Sequence, residues 1–331
     1  MNKPNLFQIA TKELSQDGFL TWLIKWADDS FHDSDPELNK VAKDFVRLLI
    51  DKDSDFAITN VYAGRQWEHI DIWAEVNDNI AILIEDKKGA GEHGNQLVDY
   101  LQAAKTYYDP KGYELHPVFL KTGNYSLLDQ AAVKSKGYKT ICRKDLIDLF
   151  SGRKIDNAIY REFLDFLNII EQETNNYGSV KNIWKSWYAA EGFYMRLEQE
   201  LFPQESDWRY VANPSGGFQG FWYHWNSSED FSEIYIQIEN ANSAIKLVVK
   251  VADGEEYVSC DSLYKALPAI QSIAREEGLS LSKPSRYRSG YTATLAIVDN
   301  AFDLDRPFSI DSFITILHAL ERTIDRFCEI S

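Results

Sequence analysis

Cysteine is scarce: Cys142, Cys260 and Cys328 are the whole complement of 331 residues. The number is odd and the spacing wide. This excludes a disulfide framework and a clustered zinc motif, and predicts a reducing, cytoplasmic setting. No run of about 18 apolar residues occurs, so no membrane-spanning helix is expected. The opening MNKPNLFQIATKEL lacks the apolar core of a secretory signal. Internal repeats and low-complexity tracts are missing. The glycine-bearing loop GAGEHGNQ, residues 89–96, lacks the G-K-[ST] of a P-loop, which excludes nucleotide binding there; His93 within it is read as polar loop surface. Bases are few beside acids, 35 against 51, for a net charge of −16. That excludes a basic coat over the whole surface, because phosphate binding needs Lys and Arg turned toward the ligand.

What is present fits a globular chain, with 44% hydrophobic and 26% charged residues. Its length exceeds what one core usually spans, so two domains are expected, 1–175 and 180–331, joined through the polar segment ETNNYGSVKN. In the first, apolar residues at helical spacing predict a helix over 15–28 with Ser15 as N-cap, then one over 37–50. Strands are predicted at 56–66, 68–76 and 80–87, the last two joined by the hairpin residues Asn77-Asp78-Asn79. A helix from Gly94, strands at 115–120 and 138–142, and helices at 144–150 and 158–172 complete a mixed sheet flanked by helices. The second domain reads as α+β with a mostly antiparallel sheet: a helix over 183–201, strands at 207–212, 218–226, 232–239 and 244–251, a helix over 261–277, strands at 284–288 and 291–298, and a helix over 309–328. One segment runs against the acidic balance. From Lys121 to Lys154, eight bases (Lys121, Lys134, Lys136, Lys139, Arg143, Lys144, Arg153, Lys154) meet only Asp129, Asp145 and Asp148.

The stretch AILIEDKKG, 81–89, carries the chemistry. Four apolar residues run into Glu85, Asp86, Lys87 and Lys88. Strand side chains alternate, so Glu85 and Lys87 share a face with Leu83 and Asp86 takes the other. Asp71 shares a face with Trp73 and Glu75 on the preceding strand, and an antiparallel hairpin would set it beside Glu85. Two carboxylates and an ammonium then meet at one sheet edge. Carboxylate oxygens suit Mg²⁺, an ion that lowers the pKa of a water and steadies charge on a phosphate. A neighbouring lysine offsets the charge that develops in the transition state.

Asp71, thirteen residues, then Glu85-Asp86-Lys87 after an apolar run resembles the PD-(D/E)xK nuclease superfamily, and Gln96-Leu-Val-Asp-Tyr100 resembles the Q-x-x-x-Y motif of its RecB- and Cas4-like branch. Ile70 stands where the motif has proline. Asp86-Lys87-Lys88 also reads as D-x-K; the apolar lead-in and the shared face favour Glu85 with Lys87. The resemblance implies a restriction-endonuclease-like fold and a Mg²⁺-dependent phosphodiesterase, with Mn²⁺ able to substitute. It implies Asp71, Glu85 and Lys87 as catalytic residues, and Gln96 and Tyr100 on one helix face against the substrate. It also implies an N-terminal acid completing the metal set of Asp71 and Glu85: Glu13 in the first place, Asp17 in the second. DNA is the implied substrate, contacted in part by the 121–154 bases, with bacterial defence or DNA repair as the implied setting. A surface ion-pair cluster and a nuclease fold that binds without turnover are the competing readings.

The second domain resembles no family. In SGGFQGFWYHW, 215–225, Phe221, Tyr223 and Trp225 alternate on one face, a pattern of core more often than of base stacking. SKPSRYRSGYT, 282–292, sets Lys283, Arg286 and Arg288 beside Tyr287 and Tyr291, either a phosphate contact or a basic hairpin. Targeting of the substrate, homodimerisation and binding of a protein partner are the roles open to this domain.

Overall fold

A computed structural model describes residues 4–10, 12–89, 94–213, 216–241, 244–304 and 308–330. His93 lies outside the described residues. The chain forms two compact units, Met1–Gln172 and Glu173–Ser331. Among the described residues no helix is long and apolar enough to cross a membrane.

The first unit is built on a five-stranded sheet in sequence order: β1 Val61–Trp67, β2 Ile70–Val76, β3 Ile80–Lys87, β4 Glu114–Lys121 and β5 Lys139–Cys142. The pairs β1/β2 and β2/β3 are antiparallel, and β3/β4 and β4/β5 are parallel. The turn between β2 and β3 forms where Asn77 and Asp78 tolerate left-handed φ values of 53° and 58°. Around the sheet lie α1 Leu6–Ile9, α2 Glu13–Lys25, α3 Pro36–Ile50, α4 Gln96–Tyr108, α5 Leu127–Ser135, α6 Arg143–Phe150 and α7 Ala158–Thr174. The helix α3 starts where its sequence demands. Asp35 caps the Leu38 amide, Pro36 occupies the first turn, and Arg47 sits in the last. On one side, Ile72, Ala74, Ile82 and Ile84 are buried, while Phe19 of α2 stacks on Phe163 of α7 at 3.9 Å and approaches Phe150 of α6. On the other, Ala81 and Leu83 pack with Ala104 and Tyr108 of α4.

Several expectations need correction. The first long helix begins at Glu13, with Lys12 as its cap residue; Ser15 lies within the first turn, and its hydroxyl donates to the Ala10 and Lys12 carbonyls. Glu68 stands in a turn with φ 49°, not in a strand. The helices α1 and α5 carry no expected counterpart. The first has one turn, and the second leaves Leu127 and Leu128 exposed, so neither shows an apolar stripe. Four of the eight 121–154 bases are engaged within the fold, while Lys134, Lys144 and Lys154 stay exposed. Lys121 and Arg143 are buried, Arg143 donating to Thr122 O and Asn124 Oδ1 and pairing with Glu171. Lys139 is tied to Asp51 and Arg153 to Asp44.

One glycine controls how β3 ends. A Cβ on Gly123 would meet the Lys88 carbonyl oxygen at 1.9 Å and Gly89 Cα at 3.3 Å. Only a bare backbone lets the segment after β4 lie against the end of β3, where Thr122 N donates to Lys87 O at 3.0 Å. We predict that Gly123→Ala costs about 2 kcal/mol through forced backbone displacement. A chemical-denaturation midpoint at the wild-type value would refute that close approach.

The second unit holds an all-antiparallel six-stranded sheet in the order β10-β11-β9-β8-β7-β6. Its strands are β6 Ser206–Val211, β7 Phe218–Asn226, β8 Glu233–Ala241, β9 Ala244–Ala252, β10 Leu281–Ser282 and β11 Thr292–Val298. Helices α8 Val180–Lys185, α9 Trp187–Leu201, α10 Cys260–Glu276 and α11 Ile310–Ile330 accompany it. The expected single helix over 183–201 is broken at Ser186, whose hydroxyl caps α9 by accepting from Ala189 N. Phe221 and Tyr223 are fully buried in a core shared with Phe193, Ile236 and Val249, while Trp225 stays half-exposed. The strand expected at 284–288 does not form. Pro284 offers no amide to a ladder, and Tyr287 instead buries its ring and donates its hydroxyl to Leu295 O at 2.8 Å.

Candidate active site

The β2/β3 register aligns Ile72 with Ile84, which puts Asp71 across from Glu85 on the sheet face that α4 covers. Lys87 Nζ lies 2.5 Å from Glu85 Oε1 and 3.8 Å from Asp71 Oδ2. Gln96 opens α4, and its Nε2 donates both to Glu85 Oε1 at 2.9 Å and to the Tyr100 hydroxyl at 2.8 Å. The helical spacing of four puts Gln96 and Tyr100 side by side, and the first turn of α4 is brought to the end of β3. Asp71, Glu85, Lys87, Gln96 and Tyr100 thus form one connected constellation. Glu13 stands at its margin: its Oε1 accepts from Lys88 N at 3.1 Å, one residue past the lysine.

Electrostatics mark the same place. Burial pushes the Glu85 carboxyl up from 4.5 to about 7; Lys87 opposes this and Asp71 adds to it. The Lys87 ammonium is itself held up by Glu85, against the burial that disfavours it. Glu85 is 2% exposed and its Oε2 has no hydrogen-bond partner among the described residues. A buried carboxylate oxygen without a donor is costly unless a cation or proton occupies it. The site therefore fits a divalent ion held by Asp71 and Glu85, since hard oxygens in small number suit an ion that keeps several waters. Among the described residues no three His, Cys, Asp or Glu side chains gather into a ready metal cage, so the fit rests on this pair.

Asp86 takes the opposite face and a different part. It is fully buried against α2, accepting from Gln16 Nε2 at 2.5 Å and contacting Asp17, while its amide donates to Asp71 Oδ2 at 3.0 Å. Gln16 in turn accepts from the Thr122 hydroxyl at 2.7 Å. Burial and the facing Asp17 raise the Asp86 carboxyl well above its usual range, and burial raises Asp17 to about 6. Each carboxyl disfavours ionisation of the other, and the more deeply buried Asp86 is pushed further toward its neutral form. Asp17 belongs to this pair and contacts neither Glu85 nor Lys87. Asp86→Asn, which reproduces the neutral group, is predicted to leave turnover within about threefold, under 1 kcal/mol of barrier. Turnover falling as far as in Asp71→Asn would return the D-x-K reading.

Sequence reasoning missed the rim of the site. At the tip of the β1/β2 hairpin, Gln66, Glu68 and His69 all have positive φ, 58°, 49° and 68°, a strained conformation for residues with a Cβ. The tip is held by Trp67, packed on Tyr107 and Tyr108 of α4, and His69 stacks on Tyr100 at 6.5 Å. Arg65, near the same tip, donates to Leu14 O on α2 at 3.2 Å. Nothing in the local sequence marks these residues, because only the hairpin brings them to α4 and α2.

No curated protein and no solved structure matches the chain. The family model of the PD-(D/E)XK nuclease superfamily matches residues 4–186. Its members are in general hydrolytic nucleases that typically use divalent metal ions. The match takes in more than half of the sequence, and the sheet and helices that carry the constellation all lie within it: the chain belongs to the PD-(D/E)XK nuclease superfamily.

Proposed function

We propose that the chain is a metal-dependent nuclease that hydrolyses phosphodiester bonds, with DNA as its substrate. The observation that carries this reading is the Lys87 ammonium lying between the facing carboxylates of Asp71 and Glu85, with Gln96 fixing the second of them. In this reading Asp71 and Glu85 hold Mg²⁺, for which Mn²⁺ substitutes, and Glu13 contributes from the margin while anchoring the Lys88 amide. Such an ion, when bound, would supply an acidified water and offset charge on the phosphate. Lys87 keeps a positive charge at the point where negative charge builds during attack. Gln96 donates to the Glu85 oxygen that Lys87 also contacts, so Glu85 is held in one rotamer, and Tyr100 and His69 offer a hydroxyl and a ring face to the substrate strand. A strained and preformed rim of this kind reduces the ordering needed when substrate arrives. Bacterial defence or DNA repair is the setting we favour.

The test is cleavage of linear duplex, circular duplex and single-stranded DNA, and of RNA, with Mg²⁺ or Mn²⁺ and with EDTA. Metal-dependent cutting of DNA is the expected result, and the substrate pattern separates endonuclease from exonuclease action. Metal binding with no cutting of any substrate would replace this reading with that of a nuclease-fold binding module.

A further inference from the structure

The second unit carries a surface that the nuclease constellation does not use. Where a strand was expected, residues 283–291 form an irregular loop. It is anchored from within by Tyr287, whose ring is buried, and from its far end by Val258 N, which donates to Gly290 O at 2.9 Å. With Tyr287 turned inward, its neighbours Arg286 and Arg288 are exposed, and neither has a carboxylate partner among the described residues. Lys283 Nζ lies over two rings, 5.7 Å from the centroid of Tyr264 and 5.4 Å from that of Tyr287. Tyr264 and Tyr291 are 54% and 60% exposed, far more than an aromatic ring needs for packing. Tyr291 is braced edge-on by Tyr257, at 4.5 Å, and Tyr264 by Tyr287, at 4.9 Å. Tyr257 follows Glu255 and Glu256 in sequence, so acids border the strip on that side.

We infer that the loop 283–291, with Tyr264, is a binding surface for single-stranded nucleic acid, its cations meeting phosphates and its exposed tyrosines stacking on bases. Rigid rings alternating with unpaired cations are what an unpaired strand requires. The surface is preorganised, because Tyr287 and the Val258–Gly290 contact hold the loop without a ligand. Three cations stand together here on a chain of net charge −16, a local reversal of sign that suits a polyanion. The acidic border confines a polyanion to the strip. This inference deepens the nuclease reading by giving the second unit a substrate class.

The experiment is fluorescence anisotropy of the full chain with a fluorescein-labelled oligothymidylate of about 20 nucleotides, long enough to cover such a surface. EDTA is present, so binding is read without cleavage. The double variant Arg286→Ala/Arg288→Ala is expected to bind at least about tenfold more weakly and to lower the slope of log K against log salt by about 1.4. Tyr291→Ala is expected to weaken binding by about tenfold at unchanged slope. A control, Lys181→Ala/Lys246→Ala, removes two exposed bases of the same unit and is expected to bind as wild type. All the replaced side chains are exposed, and thermal melts verify folding. Wild-type binding by the double arginine variant overturns the inference. So does equal binding of a duplex of the same length with Tyr291→Ala silent, which would reduce the surface to unspecific charge. Because cleavage is assayed separately, a chain that cuts DNA but ignores these substitutions sinks only the inference. A chain that binds through them but cuts nothing sinks only the nuclease reading.

Discussion

Replacing Lys87 with alanine is expected to lower metal-dependent cleavage by about 10²- to 10³-fold while leaving metal binding intact or tighter. The two effects part because the ammonium serves two ends. It sits 2.5 Å from Glu85 Oε1 and 3.8 Å from Asp71 Oδ2, so it competes with a divalent ion for the same oxygens. Removing it leaves two facing carboxylates with no cation, which favours metal. During attack on a phosphate the same charge offsets what develops on the phosphoryl oxygens, and loss of one such group costs about 3–4 kcal/mol. Isothermal titration with Mn²⁺ reads the first effect and initial cleavage rates read the second. Wild-type rates in Lys87→Ala would remove the lysine from the chemistry. Lost cleavage together with lost metal binding would make it a structural counter-ion.

Glu85→Gln is expected to abolish cleavage and, in the absence of metal, to stabilise the protein at neutral pH. Burial lifts the wild-type carboxyl from 4.5 to about 7. A raised acid binds more protons in the folded than in the unfolded state between those two values. Its contribution is therefore fully present below pH 4.5 and is lost as pH rises through 7. By pH 8 the metal-free wild type carries a buried carboxylate that costs up to about 3 kcal/mol, which the neutral glutamine avoids. Asp17 and Asp86 titrate in both proteins, so the difference between the two isolates Glu85. In EDTA the wild-type melting temperature should fall relative to Glu85→Gln from pH 5 to pH 8, by several degrees at roughly 2–4 °C per kcal/mol. Mg²⁺ should restore the wild type at pH 8 and do nothing for Glu85→Gln. A melting difference independent of pH would show that Glu85 is already ionised and satisfied in the fold. Such a trade of stability for function is common where a site holds charge that only its ligand completes.

The sequence by itself determined the parts of this protein that local pattern controls. Alternation in β2 and β3 and the asparagine-rich turn between them specify a hairpin, and a hairpin in that register sets Asp71 across from Glu85. The spacing of four between Gln96 and Tyr100 specifies one helix face, and Gln96 donates to both Glu85 and the Tyr100 hydroxyl. The helices of strong apolar stripe, α3, α7, α10 and α11, start and stop close to where their caps and periodicity say, because burial of a continuous stripe is encoded residue by residue.

The tertiary structure decided what depends on distant neighbours. Lys121 and Arg143 read as surface bases, yet they lie inside, where the carbonyl and amide oxygens that receive Arg143 come from chain about twenty residues away. Asp86 reads as half of a rival motif, and it is Gln16 and Asp17, some seventy residues earlier, that give it a buried setting where its charged form is disfavoured. Nothing in the local sequence singles out Gly123, and only the end of β3 beneath it shows why a side chain there is forbidden. The loop 283–291 has the aromatic content of a strand, but Pro284 and the inward Tyr287 trade ladder bonds for an anchor that leaves its cations outside. In each case local sequence supplies the chemical group, while its charge state, partner and exposure are set by contacts that no spacing rule along the chain encodes.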